Sequence, residues 1–206
     1  MTAANVAMSA TPHTTLIRGV DLVASPWKNG GGVTREVAAW PEGAGLDTFV
    51  WRVSVADVAQ PGPFSRFAGI DRTLVLLSGA GMLLDDAQGY THALKQPLDI
   101  ARFKGEAAIE ARLVDGPTRD FNLMLRRGAA AGEVEVWRGD GEHTLSADVA
   151  LLFCAEGPIA VTVGDAAPVR LDINDTMRID RADAAQALHC TTGGTGALLA
   201  IGIRYA

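Results

Sequence analysis

Apolar residues in this chain fall into short runs that glycine, proline and polar residues separate. The clearest alternation places Phe49, Trp51 and Val53 on one face of an extended chain and Arg52 and Ser54 on the other. A period of two predicts a half-buried strand. Many short runs of this kind, with little helical periodicity, predict an all-β sandwich or barrel. The remaining runs are 32–39, 73–78, 82–84, 121–125, 134–137, 150–154, 159–163 and 197–203.

Two segments in the first half of the chain have similar counterparts in the second half. Leu74–Leu84 and Leu151–Val161 share an outline of strand, glycine-containing turn and strand. Further on in each half, Leu98–Ile100 and Leu171–Ile173 both have the sequence Leu-Asp-Ile. These repeated sequence patterns predict two similar β-units in one chain.

Charge and cysteine content narrow the class of protein. The 206 residues include 18 Lys+Arg against 24 Asp+Glu, which gives a formal net charge of −6. This balance offers no bulk attraction to nucleic acid or to an anionic membrane. Cys154 and Cys190 are too few for a disulfide framework, and no apolar stretch has the length of a membrane span. We therefore expect a cytoplasmic protein without a nucleic-acid or membrane partner, and leave a homodimer open.

Residues that usually hold metals or cofactors are sparse. The glycine-rich segment 29–34 precedes a strand pattern, which favours a turn, with an anion-binding nest as the alternative. The four histidines, His13, His92, His143 and His189, are widely separated in sequence. A metal site needs three or four converging ligands. We therefore expect no metal and no cofactor.

Four segments carry a more specific combination of motifs. They are Pro26–Glu36 (PWKNGGGVTRE), Trp51–Ala56 (WRVSVA), Gly62–Arg72 (GPFSRFAGIDR) and Asp120–Arg127 (DFNLMLRR). In this order and spacing they resemble the HutD/Ves family of bacterial proteins. The resemblance implies a bicupin fold, in which one chain forms two double-stranded β-helix barrels. The second half of the chain matches as a compatible β-rich continuation.

The bicupin expectation sets provisional domain boundaries. We expect a flexible N-terminus over 1–13, a first cupin-like barrel over 14–130 and a second over 131–206, packed together as one unit. The junction falls near 127–133, where small residues and glycines make the chain flexible.

The resemblance also implies a function. HutD proteins are associated with histidine utilisation, which they are thought to restrain or tune, with a small metabolite such as formylglutamate or urocanate as the suggested ligand. Ves proteins are linked to cold and stress responses. The leading hypothesis is thus a metal-free binding protein that regulates amino-acid catabolism. The alternatives are a metal-independent enzyme acting on a small amino-acid-derived carboxylate, and a protein that binds another pathway component.

The sequence departs from cupin metalloenzymes in one respect. Those enzymes usually carry a His-x-His pair with a later Glu and His, but segment 64–79 contains no histidine. Arginine, asparagine and aromatic residues instead suit an anionic organic ligand.

Eight residues are the candidates for contacting a carboxylate ligand. Several of them have a structural alternative: a solvent-facing strand for Arg52 and Asn122, an ion pair for Arg72, a plain turn for Asn29, and a place in the core for Phe64. Which strand faces line the pocket stays open. The candidates are Lys28, Asn29, Arg52, Ser54, Phe64, Arg72, Asn122 and Met124.

Overall fold

The computed structural model describes residues 13–181 and 186–206. Within these ranges the chain forms nineteen strands, and helical structure is limited to a 3-10 turn at Gly19–Asp21. The prediction of an all-β protein is confirmed. The strands are β1 (His13–Ile17), β2 (Ala24–Pro26), β3 (Gly32–Trp40), β4 (Trp51–Val58), β5 (Gly62–Pro63), β6 (Ile70–Ser78), β7 (Met82–Asp86), β8 (Thr91–Leu94), β9 (Ile100–Lys104), β10 (Ile109–Leu113), β11 (Thr118–Arg126), β12 (Ala130–Arg138), β13 (Gly141–Leu145), β14 (Val149–Glu156), β15 (Ile159–Val163), β16 (Val169–Leu171), β17 (Thr176–Asp180), β18 (Leu188–Gly194) and β19 (Ala197–Tyr205).

The chain divides into two compact units. The first unit comprises 19–132 with the last two residues, and the second comprises 13–18 with 133–204. The division differs from the sequence-based boundary at the start of the chain, because β1 pairs antiparallel with β17 of the second unit. A strand pattern does not reveal its partner, so 14–18 could not be assigned from sequence. The expected flexible N-terminus falls on 1–12, which lie outside the described residues, and on His13, which begins β1.

The first unit consists of two antiparallel sheets. One has the strand order β2-β3-β4-β11-β6-β9 and the other β5-β10-β7-β8. Apolar side chains from both sheets form a common core that includes Leu74 and Leu76 of β6 with Met82 and Leu84 of β7. Since these positions alternate along their strands, they all lie on the inner faces of the sheets.

Strand β4 is buried on both faces. Trp51 and Val53 are fully buried, as the sequence pattern indicates, but Ser54 and Ala56 on the opposite face are buried as well. The prediction of a half-buried strand was therefore wrong. Alternation separates the two faces of a strand, but it does not tell whether the more polar face meets solvent or an interior cavity.

The second unit repeats the two-sheet plan. Its sheets have the orders β1-β17-β14-β19-β12 and β13-β18-β15-β16. Leu152, Val161 and Leu198 lie in its core together with both cysteines. Burial raises the pKa of Cys154 to about 12 and that of Cys190 to about 11, so both thiols stay protonated at neutral pH. Across the described part of the chain, no helix is long and apolar enough to cross a membrane.

Candidate functional site

A cavity of about 600 Å³ lies in the first unit. Strands β4, β6 and β11, the loop before β3 and the segment after β5 all contribute to its wall. The structure brings all eight candidate residues to this wall, although their role in binding a ligand stays a prediction. They are Lys28, Asn29, Arg52, Ser54, Phe64, Arg72, Asn122 and Met124.

The register of β4 and β11 explains how distant residues meet. Asn122 lies opposite Ser54, and Met124 lies opposite Arg52. Met124 also lies opposite Arg72 on the other neighbouring strand, β6. Side chains directly opposite each other point to the same side of a sheet. The face of β4 that carries Arg52 and Ser54 is therefore the one that lines the cavity.

Arg72 is a buried cation held mainly by neutral groups. Its Nε donates to Asn122 Oδ1 and its Nη1 to the Ser65 carbonyl oxygen, both over a long 3.4 Å. Its guanidinium carbon lies 5.2 Å from the ring centre of Phe64 and 5.0 Å from that of Phe103, distances typical of cation–π contacts. Its residue exposure is only 6%.

No carboxylate in the described part of the chain forms an ion pair with Arg72. Its neighbour Asp71 pairs instead with Arg127, Nη1 to Oδ1, at 2.7 Å. The pKa of Arg72 is lowered to about 10, mainly by burial; the negative charge of Asp120 opposes this change, and the nearby positive charge of Arg52 contributes to it. A group with that pKa remains protonated at neutral pH. The cavity wall thus carries a positive charge to which no counter-ion from residues 13–181 or 186–206 is directly bound.

Asp120 is a cavity residue that the sequence-based choice left out. Its exposure is 1%, and among the described residues Oδ2 has no hydrogen-bond partner. Burial raises its pKa to about 7; Arg72 opposes this rise and the negative charge of Asp57 adds to it. The available signal was its spacing, since 120, 122 and 124 share one strand face. A register shift between Arg119 and Asp120 marks a local bulge, a feature that often re-aims side chains near sites.

Arg52 is a less suitable ligand partner than Arg72. Its Nε donates to Glu36 Oε2 at 2.7 Å and its Nη1 to Ser54 Oγ at 3.2 Å. The charge of Arg52 is therefore already balanced by a neighbouring carboxylate. Ser54 Oγ accepts a hydrogen bond from the same arginine, so Arg52 and Ser54 together form an ordered part of the cavity wall.

Lys28 and Asn29 lie in a tight turn at the cavity. Gly30 N donates to the Trp27 carbonyl oxygen at 3.0 Å, and Gly31 N donates to Asn29 Oδ1 at 3.0 Å. Gly30 has φ +70°, which glycine adopts without strain. Asn29 Oδ1 thus stabilises the turn, which agrees with the alternative interpretation of Asn29 as a turn residue. Lys28 is exposed and extends its positive charge from the same turn.

Phe64 and Met124 provide apolar wall. Phe64 packs against the core of the first unit and covers one side of the Arg72 guanidinium. Met124 is buried in a separate cluster with Phe49 and Ile70. Together they place water-excluding surface beside the arginine, which strengthens any electrostatic contact made there.

The four histidines lie on four different strands. His13, His92, His143 and His189 belong to β1, β8, β13 and β18. His143 stacks on Trp137 with a centroid distance of 4.1 Å. Within 13–181 and 186–206, no group of three His, Cys, Asp or Glu side chains is arranged to hold a metal ion.

The two-sheet units define a cupin-like β protein, and its first unit contains a small-molecule-sized pocket lined by polar and apolar side chains. Residues 20–200 match the family model described as HutD. The chain therefore belongs to the HutD family, and the resemblance seen in the sequence is confirmed.

Individual relatives agree with this assignment. An uncharacterised 21.2 kDa protein of the hutC 3′ region of Pseudomonas putida is 37% identical over 169 residues, which are 82% of this chain and 87% of the relative. Protein Ves of Escherichia fergusonii is 37% identical over 111 residues, 53% of this chain and 56% of the relative. The structure of HutD from Pseudomonas fluorescens SBW25 in a formate condition matches with a TM-score of 0.82 and 32% identity over 94% of this chain and all of that one.

Proposed function

We propose that the cavity of the first unit binds a small carboxylate metabolite, such as formylglutamate or urocanate, and that this binding lets the protein regulate histidine utilisation in the cytoplasm. The observation that carries the proposal is Arg72: a buried guanidinium in the cavity wall with no bound carboxylate among the described residues. A buried cation without a directly bound counter-ion is costly, and an anionic ligand offsets that cost.

The surroundings of Arg72 suit a carboxylate in particular. A guanidinium offers parallel N–H donors that match the two oxygens of a carboxylate. The Asn122 amide adds a neighbouring donor, and the phenylalanine rings shield part of the Arg72 guanidinium from water. A volume of about 600 Å³ lies within the range of small-molecule pockets.

The regulatory part of the proposal rests on family membership. The Pseudomonas putida relative is named for its place beside hutC, and the chain belongs to the HutD family. A binding protein needs no reaction at the cavity, only a ligand whose concentration reports on the pathway. Formate enters the test as the smallest carboxylate that can contact Arg72.

Titration calorimetry with formylglutamate, urocanate, glutamate and formate tests the binding step. We expect at least one ligand to bind with a dissociation constant below millimolar, and Arg72→Met to weaken binding more than tenfold because it removes a charge-assisted contact. Arg170→Met is the matched control, since Arg170 is an exposed arginine of the second unit. Circular dichroism checks that both variants fold. The proposal fails if no ligand binds, or if folded Arg72→Met binds as the wild type does.

One observation favours a second candidate function, a metal-independent enzyme that acts on a small amino-acid-derived carboxylate. A buried carboxyl whose pKa is about 7 is suited to general acid–base catalysis, and Asp120 lines the same cavity as Arg72. Long incubation separates the two functions. A ligand recovered unchanged supports binding alone, whereas a converted ligand supports the enzyme.

A further inference from the structure

The contacts that Asp120 makes with the described residues do not account for its burial. It lies between Ala56 of β4 and Leu76 of β6 and is nearly inaccessible. Its Oδ2 lacks a hydrogen-bond partner in the described parts of the chain. A buried carboxyl oxygen without a hydrogen-bond partner is unfavourable to the fold, and a ligand that bonds to it offsets this cost. Since Asp120 lines the cavity, a ligand there can reach it.

We propose that Asp120 is a specificity residue that takes up a proton when a carboxylate occupies the cavity beside Arg72, and that the protonated carboxyl donates its O–H to the ligand. This inference rests on the proposed binding of a carboxylate. It adds Asp120 as a second residue that contacts the ligand, and it predicts the number of protons taken up on binding, which can be measured.

Charge balance is the main argument for proton uptake. The groups that act on Asp120 are Arg72 from β6 and Asp57 from β4, and Arg52 acts on Arg72 in turn. Lys28 adds an exposed positive charge at the loop. Arg52 is paired with Glu36, so Arg72 is the buried cation left to balance negative charge. One guanidinium balances one anion, and a ligand carboxylate replaces ionised Asp120 in that role.

Two adjacent carboxylates in a dry site share a proton because both cannot remain ionised at low cost. With a carboxylate ligand present, protonation of Asp120 removes the repulsion and converts its oxygen into a donor. A ligand that instead offered an ammonium or N–H group to Asp120 would favour the ionised carboxyl and release a proton. The sign of the proton exchange therefore identifies which chemical group faces Asp120.

The same arrangement gives the cavity selectivity. Protonated Asp120 can donate a hydrogen bond, so it favours ligands that place an acceptor, such as a carboxylate or carbonyl oxygen, near Arg72. A ligand with an amino group in that position meets a donor and a cation together. Among otherwise similar ligands, we therefore expect one with a neutral or acylated amine to bind more tightly than one with a free ammonium group.

Calorimetry with formylglutamate on the full chain tests the inference, because this ligand has no group that titrates between pH 6 and pH 8. Titrations at one pH in two buffers of different ionisation enthalpy count the protons exchanged. We expect the wild type to take up a fraction of a proton at pH 7, rising toward one at pH 8, and its affinity to fall up to tenfold per pH unit above pH 7.

Asp120→Asn is the decisive variant, because its amide donates a hydrogen bond at every pH. We expect it to bind about as tightly as the wild type at pH 6 and to lose the pH dependence. Asp115→Asn, at an exposed turn, is the matched control and should behave as the wild type. If Asp120→Asn fails to fold, the proton count of the wild type decides alone.

Three results would overturn the inference: proton release, no proton exchange at pH 7 to 8, or an unchanged pH dependence in folded Asp120→Asn. If formylglutamate binds through Arg72 without proton uptake, the inference fails and the proposed function stands. If none of the four carboxylates binds between pH 6 and pH 8, both fail.

Discussion

The buried carboxyl of Asp120 should make the stability of the protein depend on pH in a direction opposite to that of a salt-bridged aspartate. In the unfolded chain its pKa is near the ordinary 3.8, whereas in the folded protein burial raises it to about 7. Between these values the folded state binds one proton more than the unfolded state. The contribution of Asp120 to stability therefore falls as pH rises through this window, and is constant below and above it.

The size of the effect follows from the pKa difference. One pKa unit corresponds to about 1.4 kcal/mol, so the ionisation of Asp120 costs about 4 kcal/mol of stability above pH 7. Asp120→Asn is neutral throughout and lacks this slope. The stability of the variant relative to the wild type should therefore increase by about 3 kcal/mol between pH 5 and pH 8. Any constant difference from altered hydrogen bonding leaves this increase unchanged.

Urea unfolding followed by tryptophan fluorescence, at pH 5 to 8 and without ligand, measures the increase. Other carboxyls titrate equally in both proteins, so their contributions cancel in the difference. Asp115→Asn serves again as the exposed control and should show no comparable change. A difference between Asp120→Asn and wild type that stays constant with pH would refute the reasoning, because it would mean that Asp120 keeps an ordinary pKa in the folded state.

Three further predictions concern packing and reactivity. Gly32→Ala should lower the free energy of unfolding by about 2 kcal/mol or more, since its Cβ would lie 2.5 Å from a backbone oxygen of β4; an unchanged melting temperature would contradict this. Cys154 and Cys190 should react with a thiol reagent only after urea is added, because burial raises both pKa values, and labelling of the native protein would count against it. A double-mutant cycle of Phe103→Leu with Arg72→Met should give a coupling of about 1 kcal/mol in unfolding experiments; no coupling would exclude the cation–π contact.

Local sequence patterns predicted the class of fold because strand formation is marked by short-range signals. The alternation around Trp51 and the glycine-punctuated apolar runs indicated strands, and the structure contains them. The motif 26–36 and the segment 120–127 indicated the family, which the comparisons confirmed. The motifs of this family, together with the chemistry of their side chains, selected eight residues, and all eight line one cavity.

Pairing and burial were decided by the tertiary structure. β1 joins a strand far along the chain, and the polar face of β4 turns to a cavity rather than to solvent. Arg72 was recognisable as a buried arginine, but its contact with the ring of Phe103, which lies opposite it on β9, and the absence of an ion pair to it among the described residues were decided by the fold. The perturbed carboxyl of Asp120 was missed for the same reason. A pKa depends on the desolvation and charges around a group, and neighbours in space supply these, not neighbours along the chain.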